Sequence, residues 1–227
     1  MFKSIINFWK GKDFMSKVLG DFETMLNDSE TMFVLVNKRL TGEDTETDIK
    51  DTIYKMDRTI NKLQRDIRKR VIEHFALQPT VDTPTSLILM SVVKDAERLG
   101  DYAKNLYEVT ELLQRPYDKG YYEDLFDSMD KKLLDIFQKT KKCFIDSDEK
   151  LAQEIVDIER GIVKACDTGI EKLAKSKLET NQAVCSTLTL RYYKRICAHL
   201  GNIASSVYMP LTDLDHFDEK TRQGEVQ

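Results

Sequence analysis

Two carboxylates four residues apart are the side chains of this chain best suited to chemistry. Glu97 and Asp101 lie in the stretch DAERLGDYAKNL, residues 95–106. On a helix, residues four apart share one face, with Cβ atoms about 5 to 6 Å apart. Both carboxylates can therefore bind one metal ion or two adjacent ions. Asn105 continues the same line one turn later, whereas Asp95 points about 200° away from Glu97.

The residues around this pair leave two interpretations open. Gly100 removes side-chain bulk beside the carboxylates, although glycine inside a helix costs about 0.5 to 1 kcal/mol relative to alanine. This choice favours the close approach of an ion, a water molecule or a second helix. In the alternative, the acidic pair is solvated and Glu97 bonds Arg98 or Lys104, its neighbours on the same helix.

A weaker copy of the stretch follows 101 residues later as ICAHLGNIASSV, residues 196–207. Such internal similarity indicates one helical unit used twice. The copy has Ala198 and Asn202 at the positions of Glu97 and Asp101. Only the first half therefore carries the complete acidic pair.

The elements that position these residues are predicted to be long helices. Charged residues make up 33% of the 227 residues, and there are only 9 glycines and 4 prolines, a profile that suits helices better than short strands joined by turns. Apolar residues repeat near every 3.6 residues in six segments separated by turn signals. The segments are 13–40, a second that begins at Thr45 or Asp48 and ends before Pro79, and then 83–113, 121–145, 147–173 and 180–209. Because short connections force consecutive helices to lie antiparallel, the sequence predicts an all-α fold of two tandem antiparallel three-helix bundles.

This pattern divides the chain into four parts: a leader at 1–12, repeats at 13–116 and 117–212, and an acidic tail at 213–227. The leader places Phe2, Ile5, Ile6 and Trp9 on one helical stripe. It is interpreted either as an interfacial membrane helix or as a leader that packs on its own bundle. The tail is expected to be frayed.

Charge and cysteine content narrow the function. The 35 basic and 39 acidic residues give a net charge of −4, which does not favour nucleic acid as a partner. The basic run KLQRDIRKR, residues 62–70, is interpreted as a solvated helix face. The four cysteines form no CxxC pair, so neither zinc binding by cysteine nor a disulfide framework is expected.

The stretch DAERLGDYAKNL resembles the signature of the PhoU family, a Glu-Arg-(Ile/Leu)-Gly-Asp core followed by a small residue and Asn. The preceding ALQPTVD, residues 76–82, resembles the Gln-Pro turn of that family. The six-helix, two-repeat plan also matches. The resemblance implies a cytoplasmic regulator of inorganic phosphate uptake and phosphate-starvation signalling, acting in part at the inner face of the membrane. Its expected partners are the cytoplasmic component of a phosphate transporter and a sensor histidine kinase, and a homodimer with peripheral membrane association is also expected.

The resemblance also implies metal ligands. Members of the family carry an E(D)xxxD motif in each half, and some bind iron or zinc clusters through it. Glu97 and Asp101 match the first motif, whereas the second motif lacks both carboxylates. Asn105, His199 and Asn202 are accessory candidates, with the histidine offering a nitrogen ligand.

Two other classes of protein are weighed against the regulator. One is a helical adaptor without metal, in which surface patches carry the function. The other is a bundle metalloenzyme of the ferritin type, which needs Glu-x-x-His on two helices. None of the three histidines, His74, His199 and His216, follows a glutamate by three residues. The protein is therefore expected not to be an enzyme.

Overall fold

The computed structural model describes residues 13–77 and 83–214. The predicted leader, most of the Gln-Pro turn, His216 and the tail after residue 214 lie outside these ranges. Among the described residues there are seven α-helices and no strand, so the all-α prediction is confirmed. The helices are α1 Asp13–Leu40, α2 Lys50–Leu77, α3 Thr83–Leu112, α4 Lys119–Phe126, α5 Met129–Asp146, α6 Glu149–Ala174 and α7 Thr180–Ser205, followed by a 3-10 helix, Leu211–Asp213.

The prediction of one continuous helix over 121–145 is wrong, because the chain turns sharply between α4 and α5. Asp127 and Ser128 have φ values of 44° and 54°, in the left-handed region that ends a right-handed helix. The backbone N–H of Asp127 donates to the Glu123 carbonyl and closes α4. Phe126 and Met129 are both buried on either side of the turn. Apolar residues thus continue through the break, so helical periodicity does not show it.

The two halves repeat the same helix positions. α1, α2 and α3 pack on one another, and so do α5, α6 and α7. The buried residues of α2 recur 102 positions later in α6: Ile53, Asp57, Ile60, Ile67 and Val71 correspond to Ile155, Glu159, Ile162, Gly169 and Leu173. This agreement shows that α2 and α6 are equivalent helices. A feature found on only one of them can therefore be compared with the same position on the other.

The halves join along two helix pairs, α3 with α7 and α1 with α5. Aromatic rings fill the second of these contacts, where Phe22 lies 4.8 Å from Phe144 and Phe33 lies 5.6 Å from Phe137, measured between ring centroids. α3 also packs on α1 and α2. The helix with the acidic pair is therefore held from three sides.

Gly100 is explained by the approach of a second helix. A Cβ atom at this position would lie 2.7 Å from Cδ1 of Ile60 on α2, which is closer than two carbon atoms pack. Of the three reasons predicted for this glycine, helix packing is thus the one that the contacts support. It brings the acidic motif of α3 close to α2.

A buried network of hydroxyl and amide groups joins α1, α4 and α7. The hydroxyls of Tyr122 and Tyr193 lie 2.8 Å apart, Tyr193 donates to the side-chain oxygen of Asn37, and the Asn37 amide donates to the Phe33 carbonyl at 2.7 Å. Burial raises the pKa of both tyrosines above the ordinary value of 10.0. Both rings therefore stay neutral, which is what a buried hydrogen-bonded group requires.

No helix within 13–77 and 83–214 is long and apolar enough to cross a membrane.

Candidate functional site

The acidic pair lies in a charge cluster formed by α3 and α2: Asp57, Glu97, Arg98, Asp101 and Lys104. Arg98 contacts Asp101 at 2.9 Å and Glu97 at 3.6 Å. Lys104 lies 3.5 Å from Asp101 and 2.9 Å from Asp57 on α2. Glu97, Asp101 and Lys104 thus share one face of α3, as their spacing predicts.

The charge cluster has three carboxylates and two cations, and Arg68 on α2 adds a third positive charge that acts on Glu97. Burial raises the pKa of Glu97 above its ordinary value, the charge of Asp101 raises it further, and the charges of Arg98 and Arg68 oppose both effects. For Lys104, burial lowers the pKa, but the hydrogen bond and charge of Asp57 outweigh burial and leave the pKa raised. The cluster therefore favours the protonated forms of both Glu97 and Lys104.

Sequence reasoning missed Asp57, which is the deepest carboxylate of the charge cluster. Asp57 is 8% exposed and occupies the buried stripe of α2 between Ile53 and Ile60. Its second oxygen accepts a hydrogen bond from the Asn61 amide at 3.4 Å. Its signal in the sequence is an acidic residue at a position where the helical pattern predicts an apolar one. Such a carboxylate is buried and therefore needs a charged or hydrogen-bonding partner.

The metal assignment of Glu97 and Asp101 stays a prediction. Within 13–77 and 83–214, no group of three or more His, Cys, Asp or Glu side chains is arranged to hold a metal ion. Arg98 and Lys104 contact the two carboxylates, so an ion has to compete with both cations. Asn105 follows one turn after Asp101 and is half-buried.

The structure places the other two accessory candidates on the opposite side of α3. Nδ1 of His199 lies 2.7 Å from a carboxylate oxygen of Asp95, and the Asn202 amide donates to the same oxygen at 3.1 Å. The His199 ring also stacks on Tyr102, with centroids 5.6 Å apart. His199 and Asn202 therefore join Asp95 at the contact between α3 and α7, and not the pair Glu97 and Asp101.

Asp95 is buried at this contact, where it is the shared acceptor for two residues of the other half. Replacing Asp95 by alanine is expected to lower the free energy of unfolding by about 1 to 3 kcal/mol, because it leaves the polar groups of His199 and Asn202 without their partner. Urea unfolding measures the loss. The matched variant Asp95→Asn keeps an acceptor oxygen and should lose less. Equal unfolding midpoints for Asp95→Ala and the unaltered protein would contradict the assigned role.

Two related helix triplets, α1 to α3 and α5 to α7, together with the short helix α4, form an all-α bundle that is also found in crystal structures. PhoU from Pseudomonas aeruginosa superposes with a TM-score of 0.72 at 21% identity, covering 86% of this chain and 95% of that one. The phosphate transport system regulatory protein PhoU from Streptococcus pneumoniae gives 0.71 at 16% identity, covering 95% and 97%. At these identities the likeness shows the fold.

Sequence comparison gives the family. The model of the PhoU domain matches residues 22–110 and 126–207, so the chain belongs to the PhoU family. Two curated relatives are each described as a phosphate-specific transport system accessory protein PhoU homolog. The Synechocystis relative is 25% identical over 183 residues, covering 78% of this chain and 80% of its own. The Clostridium acetobutylicum relative is 20% identical over 177 residues, covering 75% and 80%.

Proposed function

We propose that this protein regulates inorganic phosphate uptake and phosphate-starvation signalling by binding the cytoplasmic component of a phosphate transporter. The match of the PhoU domain to both halves carries the proposal, and the relatives' description as accessory proteins of phosphate transport supports it. A sensor histidine kinase is the second proposed partner. The protein acts by binding and not by catalysis, in the cytoplasm at the inner face of the membrane.

The charge cluster is the proposed control element on α3. Burial and the charge of Asp101 raise the pKa of Glu97, and a cation bound by both carboxylates would relieve the repulsion between them. Iron or zinc is the proposed ion, with Glu97 and Asp101 as ligands. The side chains of Arg98 and Lys104 are long and flexible, so they can move away from the carboxylates. The ion would then bind Glu97 and Asp101 and supply positive charge at the surface formed by α2 and α3.

One observation favours the second candidate, a helical adaptor without metal. Arg98 and Lys104 already contact the carboxylates that an ion would need. In this case the charge cluster stabilises the contact between α2 and α3, and regulation depends on surface shape alone. Both candidate functions include binding to the transporter, and only the first also includes binding of a metal ion.

Removing the protein from its host tests the regulatory role. A phosphate-starvation reporter is expected to become active at high phosphate in the deletion strain and to return to the repressed level when the full chain is restored. If Glu97 and Asp101 act in regulation, the charge-neutral, shape-matched variant Glu97→Gln/Asp101→Asn should fail to restore repression. If the deletion changed neither the reporter activity nor the rate of phosphate uptake, the proposal would be refuted.

Elemental analysis of protein purified without an affinity tag separates the two candidates. Iron or zinc in the unaltered chain and its loss in Glu97→Gln/Asp101→Asn would support the metal site. Metal at trace levels in both would support the adaptor and leave the transporter proposal intact. Sedimentation velocity on the same samples tests the predicted homodimer.

A further inference from the structure

The outward face of α2 carries five basic residues in one line, here named the basic stripe: Lys55, Arg58, Lys62, Arg65 and Lys69. Their alternating spacing of three and four residues places them on one side of the helix. All five are exposed. At 1.5 Å per residue the basic stripe is about 21 Å long.

Most of the basic stripe has no charge partner among the residues that the structure describes. Lys55, Arg58, Lys62 and Arg65 form no ion pair with any residue of 13–77 or 83–214. Lys69 contacts Glu73 at 3.8 Å, with both side chains largely in solvent. Asp66, which borders the stripe, is half-buried. The stripe is thus a positive surface on a chain whose net charge is −4.

The equivalent face of α6 shows that the fold does not require this pattern. The 102-residue offset that aligns the buried positions puts Asp157, Arg160, Lys164, Asp167 and Glu171 where the basic stripe has five cations. Two of these acids are paired, Asp157 with Arg160 at 3.1 Å and Asp167 with Lys194 at 2.6 Å. The same architecture is therefore built with a mixed, paired surface in one half and an unpaired positive surface in the other.

We propose that the basic stripe binds an anionic lipid surface, with α2 lying along the membrane. The charge is complementary to acidic phospholipid headgroups, and clusters of four to eight Lys or Arg on a helix are what such headgroups attract. The stripe also ends at an apolar side chain, because Ile72, its next position, is 61% exposed. Leu77, the last residue of α2, is 82% exposed but lies about 140° further round the helix. Exposed apolar side chains beside a line of cations are the combination that binds at the boundary between headgroups and acyl chains, and this combination favours a lipid surface. The inference rests on the proposed location at the inner face of the membrane and deepens it, because it names the surface of the protein and the class of lipid that make the contact.

Vesicle co-sedimentation of the full chain tests the proposal. The probes are vesicles of phosphatidylcholine alone and vesicles that also contain phosphatidylglycerol. The stripe variant is Lys55→Gln/Arg58→Gln/Lys62→Gln/Arg65→Gln. The matched control, Lys131→Gln/Lys142→Gln/Lys172→Gln/Lys175→Gln, lowers the net charge equally at four exposed lysines outside the stripe.

The unaltered chain and the control should bind the anionic vesicles, and the stripe variant should bind at least about tenfold more weakly, since each Lys or Arg near the surface strengthens binding about fivefold. Binding should also fall at about 1 M salt, where the Debye length is about 3 Å.

Equal binding by the stripe variant and the unaltered chain would overturn the proposal, because another segment would then be responsible. Equal binding to vesicles with and without phosphatidylglycerol would overturn it too. So would a third result, in which the unaltered chain binds no vesicles while the stripe variant no longer co-purifies with the transporter. The reporter assay can succeed or fail independently of these results.

Discussion

Replacing Tyr193 by alanine is expected to lower the free energy of unfolding by about 3 to 5 kcal/mol. The side chain is 0% exposed, and its ring lies 5.7 Å from that of Phe33 and 5.9 Å from that of Phe126. Truncation therefore leaves a cavity between α1, α4 and α7. It also removes the hydrogen-bond partner of Asn37 and Tyr122. Denaturant unfolding followed by far-UV circular dichroism measures the change.

Two further variants separate the cost of the cavity from the cost of the lost hydrogen bonds. Tyr193→Phe keeps the ring and removes only the hydroxyl, so it should cost about 1 to 3 kcal/mol through the buried groups left unsatisfied. Tyr192→Ala truncates the adjacent, half-buried tyrosine and should cost less than Tyr193→Ala. If the two alanine variants were equally stable, the buried network would not have the role assigned to it.

Replacing Lys104 by methionine is expected to lower the free energy of unfolding by about 2 to 4 kcal/mol. Methionine keeps the apolar stem of lysine but removes the cation that contacts Asp57 at 2.9 Å and Asp101 at 3.5 Å. Asp57 is then a buried carboxylate without a charge partner, and breaking a buried pair costs about 3 to 5 kcal/mol, less where solvent still reaches it. Lys139→Met is the control, because Lys139 pairs with the exposed carboxylates of Asp135 and Glu154, and exposed pairs contribute about 0 to 1 kcal/mol.

The effect of Lys104→Met has a defined pH dependence. The pKa of Lys104 is raised in the folded protein, so its contribution is fully present below 10.5, the ordinary pKa of lysine, and is lost as the pH rises through the raised pKa. On the alkaline side, the stability difference between the unaltered protein and Lys104→Met should therefore persist up to pH 10.5 and shrink above it. A second replacement, Asp57→Leu in the Lys104→Met background, removes the stranded carboxylate and should recover part of the stability. No recovery would argue against the pair.

Local features of the fold were predictable from the sequence. α1 spans the predicted segment 13–40, and α3 begins at the predicted residue 83, because both are long amphipathic runs with clear end signals. The turn at Asp127 and Ser128 was not predictable, since apolar residues continue across it. The last helix was predicted to reach residue 209 but ends at Ser205, a difference of the size expected when helix ends are predicted from sequence.

The sequence by itself determined the helical class, the acidic motif with its weaker copy, and the resemblance to the family that the comparisons then confirmed. These depend on spacing along the chain, which a 3.6-residue period records directly. Only the tertiary structure decided that Lys104 pairs with Asp57, that Asp95 holds His199 and Asn202, and that four cations of α2 form no ion pair within the described part of the chain. Those facts depend on which helices pack together and in which register. The residues concerned are up to 107 positions apart in the chain, far beyond the range of any local pattern.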